Sequence, residues 1–247
     1  VPSYAEALIA GADLADVKHK IELAGINENI TVEQVPEGIL IRAKGVSAHA
    51  MHPEKGKNAI QALLCVLKYI DFSPVQAKQF LDSIADKLMM ETDGLAFGIA
   101  CDDDISGTLT LNTGIINFNE MQGSIKFDVR YPVKKEGDKI IEKLQTYADS
   151  TGLGFTINQH KPPLYMDKDS EIIKRLQHVY KEMTGDEPEL ISIGGGTCCR
   201  YVKNTVSFGP VFPGQKELAH QRDEFIDLED FRKMSKIYAQ AVYELIK

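Results

Sequence analysis

After Lys161-Pro162-Pro163 the chain settles into a strict alternation that limits what it can fold into. A helical stretch runs from about Ser170 to Met183, followed by the apolar run Leu190–Ile193, then Gly194-Gly195-Gly196 and a short helix. A second apolar run, Thr205–Phe208, leads through a loop into a helical stretch from Leu228 to Ile246, with Asp227 at the N-cap position. Helices alternating with apolar runs in this αβαβα order predict a parallel sheet covered by helices. Two or three strands are too few, since a sheet typically has about 5–6. Half a sheet leaves a long apolar edge exposed. The segment therefore implies strands supplied from outside this chain.

Before the prolines the rhythm differs. Residues from about Ser3 to Leu23 read as helical, with a break near Gly11-Ala12-Asp13. Turn chemistry at Val35-Pro36-Glu37-Gly38 precedes Ile39, Ile41 and Ala43, whose period of two marks a half-buried strand. From Ala59, Ile60, Leu63, Leu67 and Ile70 recur at helical spacing behind Asn58, a suitable N-cap. Another helix is expected from Pro74 to about Leu88. Residues 107–131 predict two antiparallel strands joined near Asn119-Glu120. In the second, Ile125, Phe127 and Val129 alternate with Lys126, Asp128 and Arg130, giving one core face and one polar face. A helix near Lys135–Ser150 and a strand near Gly154–His160 complete an α+β pattern. The expected organisation is an α+β domain over residues 1–163, an antiparallel sheet with helices, followed by a partial α/β segment over residues 164–247.

Composition narrows function by exclusion. The chain has 247 residues, 43% of them apolar and 26% charged, with a formal charge of −8. That is ordinary globular composition. There is no long basic run to suit nucleic acid or an anionic membrane, and no apolar segment approaches the roughly 18 residues a spanning helix needs. Four cysteines do not make a disulfide scaffold. The chain starts at Val1 without Met and without a signal-like stretch, which fits a mature protein or a piece of a longer one. A cytoplasmic location is the expectation.

Three stretches are able to carry chemistry. Gly45 to Ala59 leaves a strand, forms a loop rich in Gly and Pro, and enters a helix. Its His49 and His52 suit an oxyanion donor, a base or a metal ligand, and equally two solvated loop histidines. Gly194-Gly195-Gly196-Thr197 stands between an apolar run and a helix, either an anion-binding turn of backbone N–H groups or only a tight turn. His220, with Asp223 and Glu224 beyond it, lies past the end of the Thr205–Phe208 run. That position suits a metal ligand with carboxylates hydrogen-bonded behind it, or a surface loop. Asp102-Asp103-Asp104 reads as a solvated acidic loop rather than a cation site. The vicinal pair Cys198-Cys199 lacks the spacing of a zinc or redox centre.

In this order and spacing the stretches resemble the zinc-dependent metallopeptidase superfamily of aminoacylases, carboxypeptidases and dipeptidases. Gly45…His49…Pro53…Gly56…Asn58-Ala59 is similar to its lid-domain signature, Gly194-Gly195-Gly196-Thr197 to its substrate-binding glycine turn, and His220 with Asp223-Glu224 to its last metal-ligand segment. The stretch Gly107–Gly114 and the size of the lid resemble the PepV-type dipeptidases. The resemblance implies two zinc ions and a dipeptide or N-acyl amino acid substrate. It implies His49 as oxyanion stabiliser, Arg130 with Gly194, Gly195, Gly196 and Thr197 as carboxylate-binding groups, His220 as zinc ligand, and Glu224 as a carboxylate behind it.

The departures from the family pattern are equally specific. Family members carry a His-x-Asp ligand motif and a Glu-Glu pair ahead of the lid, and neither occurs here. The chain thus resembles the lid plus the C-terminal part of a catalytic domain, with the N-terminal catalytic part as its missing partner, and is expected to be inactive alone. The rival reading is a non-catalytic lid-type module used for binding or self-association.

Overall fold

The computed structural model describes residues 1–71, 73, 75–88, 90–216, 218 and 223–247. The chain divides into two compact units, Val1–Pro163 and Leu164–Lys247.

In the first unit Tyr4–Ile9 forms a strand, β1. This corrects the helical reading of the first residues. The Ala/Leu/Glu composition favours a helix locally, but β1 pairs along its whole length with Gly38–Lys44, from Tyr4↔Lys44 to Ile9↔Ile39. Tertiary pairing overrides propensity there. The helix expected in this region is confined to α1, Leu14–Ala24. The Asp13 side chain caps it by accepting from the Asp16 amide at 2.9 Å, and Gly25 closes it in the left-handed conformation.

Ile30–Val35 (β2) and Gly38–Lys44 (β3) follow. The antiparallel sheet has the order β1-β3-β2. Central β3 buries Ile39, Ile41 and Ala43 completely, the period of two read from the sequence. Gly38 stands at φ +147°, and a Cβ there would lie 2.3 Å from the carbonyl oxygen of Ile9. Helix α2, Ala59–Leu67, packs on β1 and β3 and is buried over nearly its whole length. Helix α3, Val75–Leu88, packs on α2.

Beyond the short pair Asp102–Asp103 (β4) and Gly107–Thr108 (β5), Thr110–Phe118 (β6) and Gly123–Arg130 (β7) form the expected hairpin. The Asn119 side chain closes its turn by accepting from the amides of Met121 and Gln122. Phe118 stacks on Phe80 of α3 at 5.6 Å, and Phe97 meets Phe127 and Tyr147 edge-on. Tyr147 lies on α4, Gly137–Thr151. One apolar core thus joins the sheet, the helices and the hairpin.

Residues 154–160 do not form the expected strand. The segment is held by a side chain instead: His160 Nε2 and the Tyr131 hydroxyl are 2.9 Å apart.

In the second unit α5, Glu171–Thr184, packs on α6, Leu228–Ile246. Asp227 caps α6 as expected, accepting from the Glu229 amide at 2.7 Å. The core is small: Leu176, Val179, Ile237 and Ala241, with Ile172, Val206, Phe208 and Phe212 against it. The αβαβα expectation is corrected at both apolar runs. Leu190–Ile193 and Thr205–Phe208 belong to no strand among the described residues. A strand is a set of ladder bonds to a neighbour, so apolar composition alone does not make one. Ile191 remains 79% exposed. Among the described residues no helix is long and apolar enough to cross a membrane.

Candidate functional site

The His49 loop is pinched shut at its base. Val46 and Lys57 exchange both backbone hydrogen bonds, at 2.9 and 3.0 Å. A Cβ on Gly45 would stand 2.0 Å from the Lys57 carbonyl oxygen, and one on Gly56 would stand 2.7 Å from that of Val46. The two glycines of the motif are therefore where the two arms of the loop touch.

Within the loop Pro53 is buried and opens a 3₁₀ turn, Pro53–Lys55. The His52 amide donates to the His49 carbonyl at 2.9 Å. The Met51 amide donates to His49 Nδ1 at 3.1 Å. An Nδ1 that accepts carries no proton, so the neutral ring holds its proton on Nε2. His49 is exposed and oriented as a donor through that nitrogen. The second histidine of the loop has a different partner, since His52 Nδ1 lies 3.2 Å from a Glu54 carboxylate oxygen.

The loop leads into Asn58, which ties it to the hairpin. Asn58 Oδ1 caps α2, accepting from the amides of Ile60 and Gln61. Its Nδ2 donates to the Thr113 carbonyl at 2.8 Å and reaches the Asn112 side chain at 3.4 Å. Across the β6–β7 ladder Asn112 faces Asp128 and Thr110 faces Arg130. Arg130 lies on the polar side of β7. Its Nε donates to Asp128 Oδ1 at 2.9 Å and its Nη2 to Oδ2 at 3.0 Å. Asn58 thus ties the His49 loop to β6, the strand paired with the one that carries Arg130.

Beside this connection is a cavity of about 270 Å³ whose lining includes Glu54, Asn58, Gln61, Thr92 and Asn112. Gln61 is only 2% exposed and donates to the carbonyls of Leu88 and Glu91. The sequence marks Asn58 as a cap and as part of the lid-like motif, and gives Gln61 and Asn112 no individual role. The signal available was a polar residue inside an otherwise apolar helix face or strand.

Gly194, Gly195 and Gly196 precede a 3₁₀ turn of four residues, Cys198–Tyr201, rather than an α-helix. Thr197 is extended and its side chain makes no cap bond. Ser207 Oγ lies 3.6 Å from Cys199 Sγ and leads the influences that lower this thiol's pKa. Glu224 is exposed. His220, expected as a zinc ligand, lies outside the described residues. Among the described residues no group of three or more His, Cys, Asp or Glu is placed to hold a metal ion. These residues do not by themselves make a zinc site. Asp103 serves the fold: it accepts from the amides of Ile105, Ser106 and Lys134.

Residues 38–244 match the family model described as peptidase family M20/M25/M40. The Bacillus subtilis protein named "Putative dipeptidase YtjP" is 36% identical over 254 aligned positions, covering 100% of this chain and 53% of the relative. A Staphylococcus epidermidis protein named "Putative dipeptidase" is 30% identical over 99% of this chain and 53% of its own length. A Staphylococcus haemolyticus protein, "Putative dipeptidase SH1171", is 28% identical with the same coverage. The chain spans about half the length of the curated relatives it matches.

Proposed function

The chain belongs to peptidase family M20/M25/M40, and on that premise we propose that it is the lid, residues 1–163, and the C-terminal catalytic segment, residues 164–247, of a two-zinc dipeptidase. The names of the relatives support dipeptides as the substrate class. Their length, roughly twice that of this chain, supports a further catalytic part. The apolar runs Leu190–Ile193 and Thr205–Phe208, which have no ladder partner among the described residues, fit strands that such a part would complete.

The observation that carries the reading is the hydrogen bond from the Met51 amide to His49 Nδ1. It presents Nε2–H as a donor on an exposed loop. A preorganised donor of this kind stabilises the oxyanion that develops on the scissile carbonyl, and does so more strongly than it binds the neutral carbonyl. Arg130 holds the substrate's C-terminal carboxylate through a guanidinium fork. The glycine turn Gly194-Gly195-Gly196 with Thr197 supports the same end of the substrate. His220 would be one zinc ligand, Glu224 would support it as a carboxylate, and the other ligands would come from outside this chain.

The test is a panel assay on the full-length protein with zinc, comparing dipeptides, amidated dipeptides and N-acyl amino acids. Turnover of dipeptides that collapses in His49→Ala supports the reading. A full-length protein that hydrolyses none of these would favour the non-catalytic module.

A further inference from the structure

Two cysteines stand side by side just after the glycine turn, Cys198 exposed and Cys199 half-buried, and both thiols are free. We propose that this pair is a peroxide-sensitive modification site: Cys199 is oxidised, Cys198 closes a reversible disulfide with it, and the closed form disables the glycine turn. The effect on the turn rests on the substrate-binding reading of residues 194–197 given above; the thiol chemistry does not.

Adjacent cysteines are not the Cys-x-x-Cys pattern of a dithiol oxidoreductase, and the structure gives the two thiols different surroundings. They occupy the first two positions of the 3₁₀ turn Cys198–Tyr201, with Thr197 at its N-cap. Cys199 Sγ lies 3.6 Å from Ser207 Oγ. A hydroxyl that donates to sulfur favours the thiolate over the thiol. Ser207 and then Thr197 lead the influences on the Cys199 thiol and hold it below its ordinary value, against desolvation. Cys65 and Cys101 have the opposite character, since burial pushes their thiols up. The thiolate is the form that peroxide oxidises, so the surroundings select Cys199 over Cys65 and Cys101. Cys198, the more exposed neighbour, is the thiol within reach to resolve it.

The chemistry balances with a hydroperoxide as oxidant. The Cys199 thiolate attacks the terminal peroxide oxygen; the S–O bond forms, the O–O bond breaks, and the leaving oxyanion takes a proton from solvent. Sulfur loses two electrons and the peroxide gains them. The Cys198 sulfur then attacks the Cys199 sulfenic sulfur; the S–S bond forms, the S–O bond breaks, and the oxygen leaves as water with the Cys198 thiol proton.

Geometry supplies the consequence. Consecutive Cα atoms are about 3.8 Å apart across a trans peptide, short of the roughly 4.4 Å at which disulfides begin. The ring therefore closes only if the Cys198–Cys199 peptide leaves its place in the turn. Around that peptide the Arg200 amide donates to the Thr197 carbonyl at 3.3 Å, and the Val202 amide to the Cys199 carbonyl at 3.3 Å. The Thr205 hydroxyl also donates to the Cys199 carbonyl, at 2.9 Å. Distorting the peptide breaks into this set and moves Thr197, the last residue of the carboxylate-binding turn. A strained disulfide is also readily reduced, which makes the change reversible.

The experiment uses the full-length protein, hydrogen peroxide as the oxidant and peptide mapping as the first readout. Trypsin cuts after Lys181 and Arg200, which leaves both cysteines in one peptide, residues 182–200. After peroxide and then iodoacetamide, this peptide is expected to carry no alkyl group and to lack the two thiol hydrogens. A phosphine reductant added before the iodoacetamide is expected to return it to the doubly alkylated form. In Cys198→Ser the oxidation is expected to stop at the Cys199 sulfenic acid, which dimedone traps. In Cys199→Ser, or in Cys199→Ala if the serine variant folds poorly, Cys198 is expected to remain alkylatable. Oxidation is expected to lower kcat/KM on a dipeptide about 10-fold or more, the phosphine to restore it, and the double serine variant to show no such loss. A peptide whose cysteines both stay alkylatable, or pass to sulfinic acid without a disulfide, would overturn the proposal. So would a disulfide that leaves kcat/KM unchanged. The underlying reading of the glycine turn fails separately, if the reduced full-length protein hydrolyses no dipeptide, because the peptide map reads the thiol chemistry whatever the activity.

Discussion

The backbone amide of Met51 donates to Nδ1 of His49 at 3.1 Å, so a main-chain group two residues away selects the ring's tautomer. In the neutral ring the proton then sits on Nε2, which makes that nitrogen a donor. In the full-length protein His49→Ala is expected to lower kcat by about 10²–10³ with a much smaller change in KM, the signature of a donor used in the transition state. The melting temperature should hardly move, since His49 is exposed. Steady-state kinetics together with a melting curve check both halves. An unchanged kcat in a folded variant removes His49 from the chemistry.

The isolated chain is expected to be inactive and to hold no stoichiometric pair of zinc ions. Its described residues assemble no cluster of three metal-binding side chains, and a zinc ion ordinarily needs about four ligands. Dialysis against zinc followed by metal analysis, with a dipeptide assay in parallel, tests this. Two tightly bound ions per chain, or turnover near an ordinary enzyme rate of about 10 s⁻¹, would contradict it.

Much of the first unit was readable because its signals are local and mutually consistent. The alternation of Ile39, Ile41 and Ala43, the cap at Asn58 and the two-faced strand at Ile125–Arg130 each correspond to an element of the structure. The helical expectation for Tyr4–Ile9 fails for a physical reason: its register with β3, from Tyr4↔Lys44 to Ile9↔Ile39, depends on residues far along the chain, which local composition does not encode. The αβαβα reading of the second unit takes as strands two apolar runs that lie outside any ladder among the described residues. Such runs become strands only when neighbours supply the hydrogen bonds. At the candidate site, the motif Gly45…His49…Gly56 was visible, but the reason for its glycines, the crossing of two backbones near Lys57 and Val46, was not. Pairing of Arg130 with Asp128 was legible as one of two possibilities from their spacing alone.

Acid should loosen the junction between the β4–β5 turn and Lys134. Desolvation, the largest single influence on Asp103, acts to raise its pKa. The hydrogen bonds from the Ser106 amide, the Lys134 amide, the Ser106 hydroxyl and the Ile105 amide together outweigh it and hold the carboxyl well below the usual carboxylate range. A depressed folded-state value means that the ionised form favours folding. That contribution is complete above the unfolded carboxylate value of about 3.9 and is lost as pH falls from there through the folded value. Asp103→Asn should therefore be less stable than the parent by a constant margin above about pH 5, with the margin shrinking below about pH 4. Melting temperatures of both proteins across pH 2–7 measure it, and a margin independent of pH would show that charge on Asp103 is irrelevant.

Asn58 offers the sharpest test of how the His49 loop is anchored, because its two side-chain ends have different duties. Oδ1 accepts from the Ile60 and Gln61 amides, while Nδ2 donates to the Thr113 carbonyl and reaches Asn112 Oδ1. The residue is 7% exposed, so water does not readily replace a lost partner. Asn58→Ser keeps a capping oxygen but loses the link to β6, costing about 1–2 kcal/mol. Asn58→Ala loses both, and about 2–4 kcal/mol is expected from the lost cap together with the stranded carbonyl. Asn58→Asp retains an excellent cap at a helix N-terminus. Its second oxygen, however, faces two acceptors, the Thr113 carbonyl and Asn112 Oδ1, in a place where a charge is poorly solvated. The expected order of stability is Asn, Ser, Ala, Asp at neutral pH, with the Asp variant recovering part of its loss as acid protonates it and restores a donor. Thermal melts of the four proteins at pH 7 and pH 4.5 give the ranking. If the Asp variant equals the parent at pH 7, Asn58 is a helix cap only, and the His49 loop is not held to the Arg130 hairpin through it.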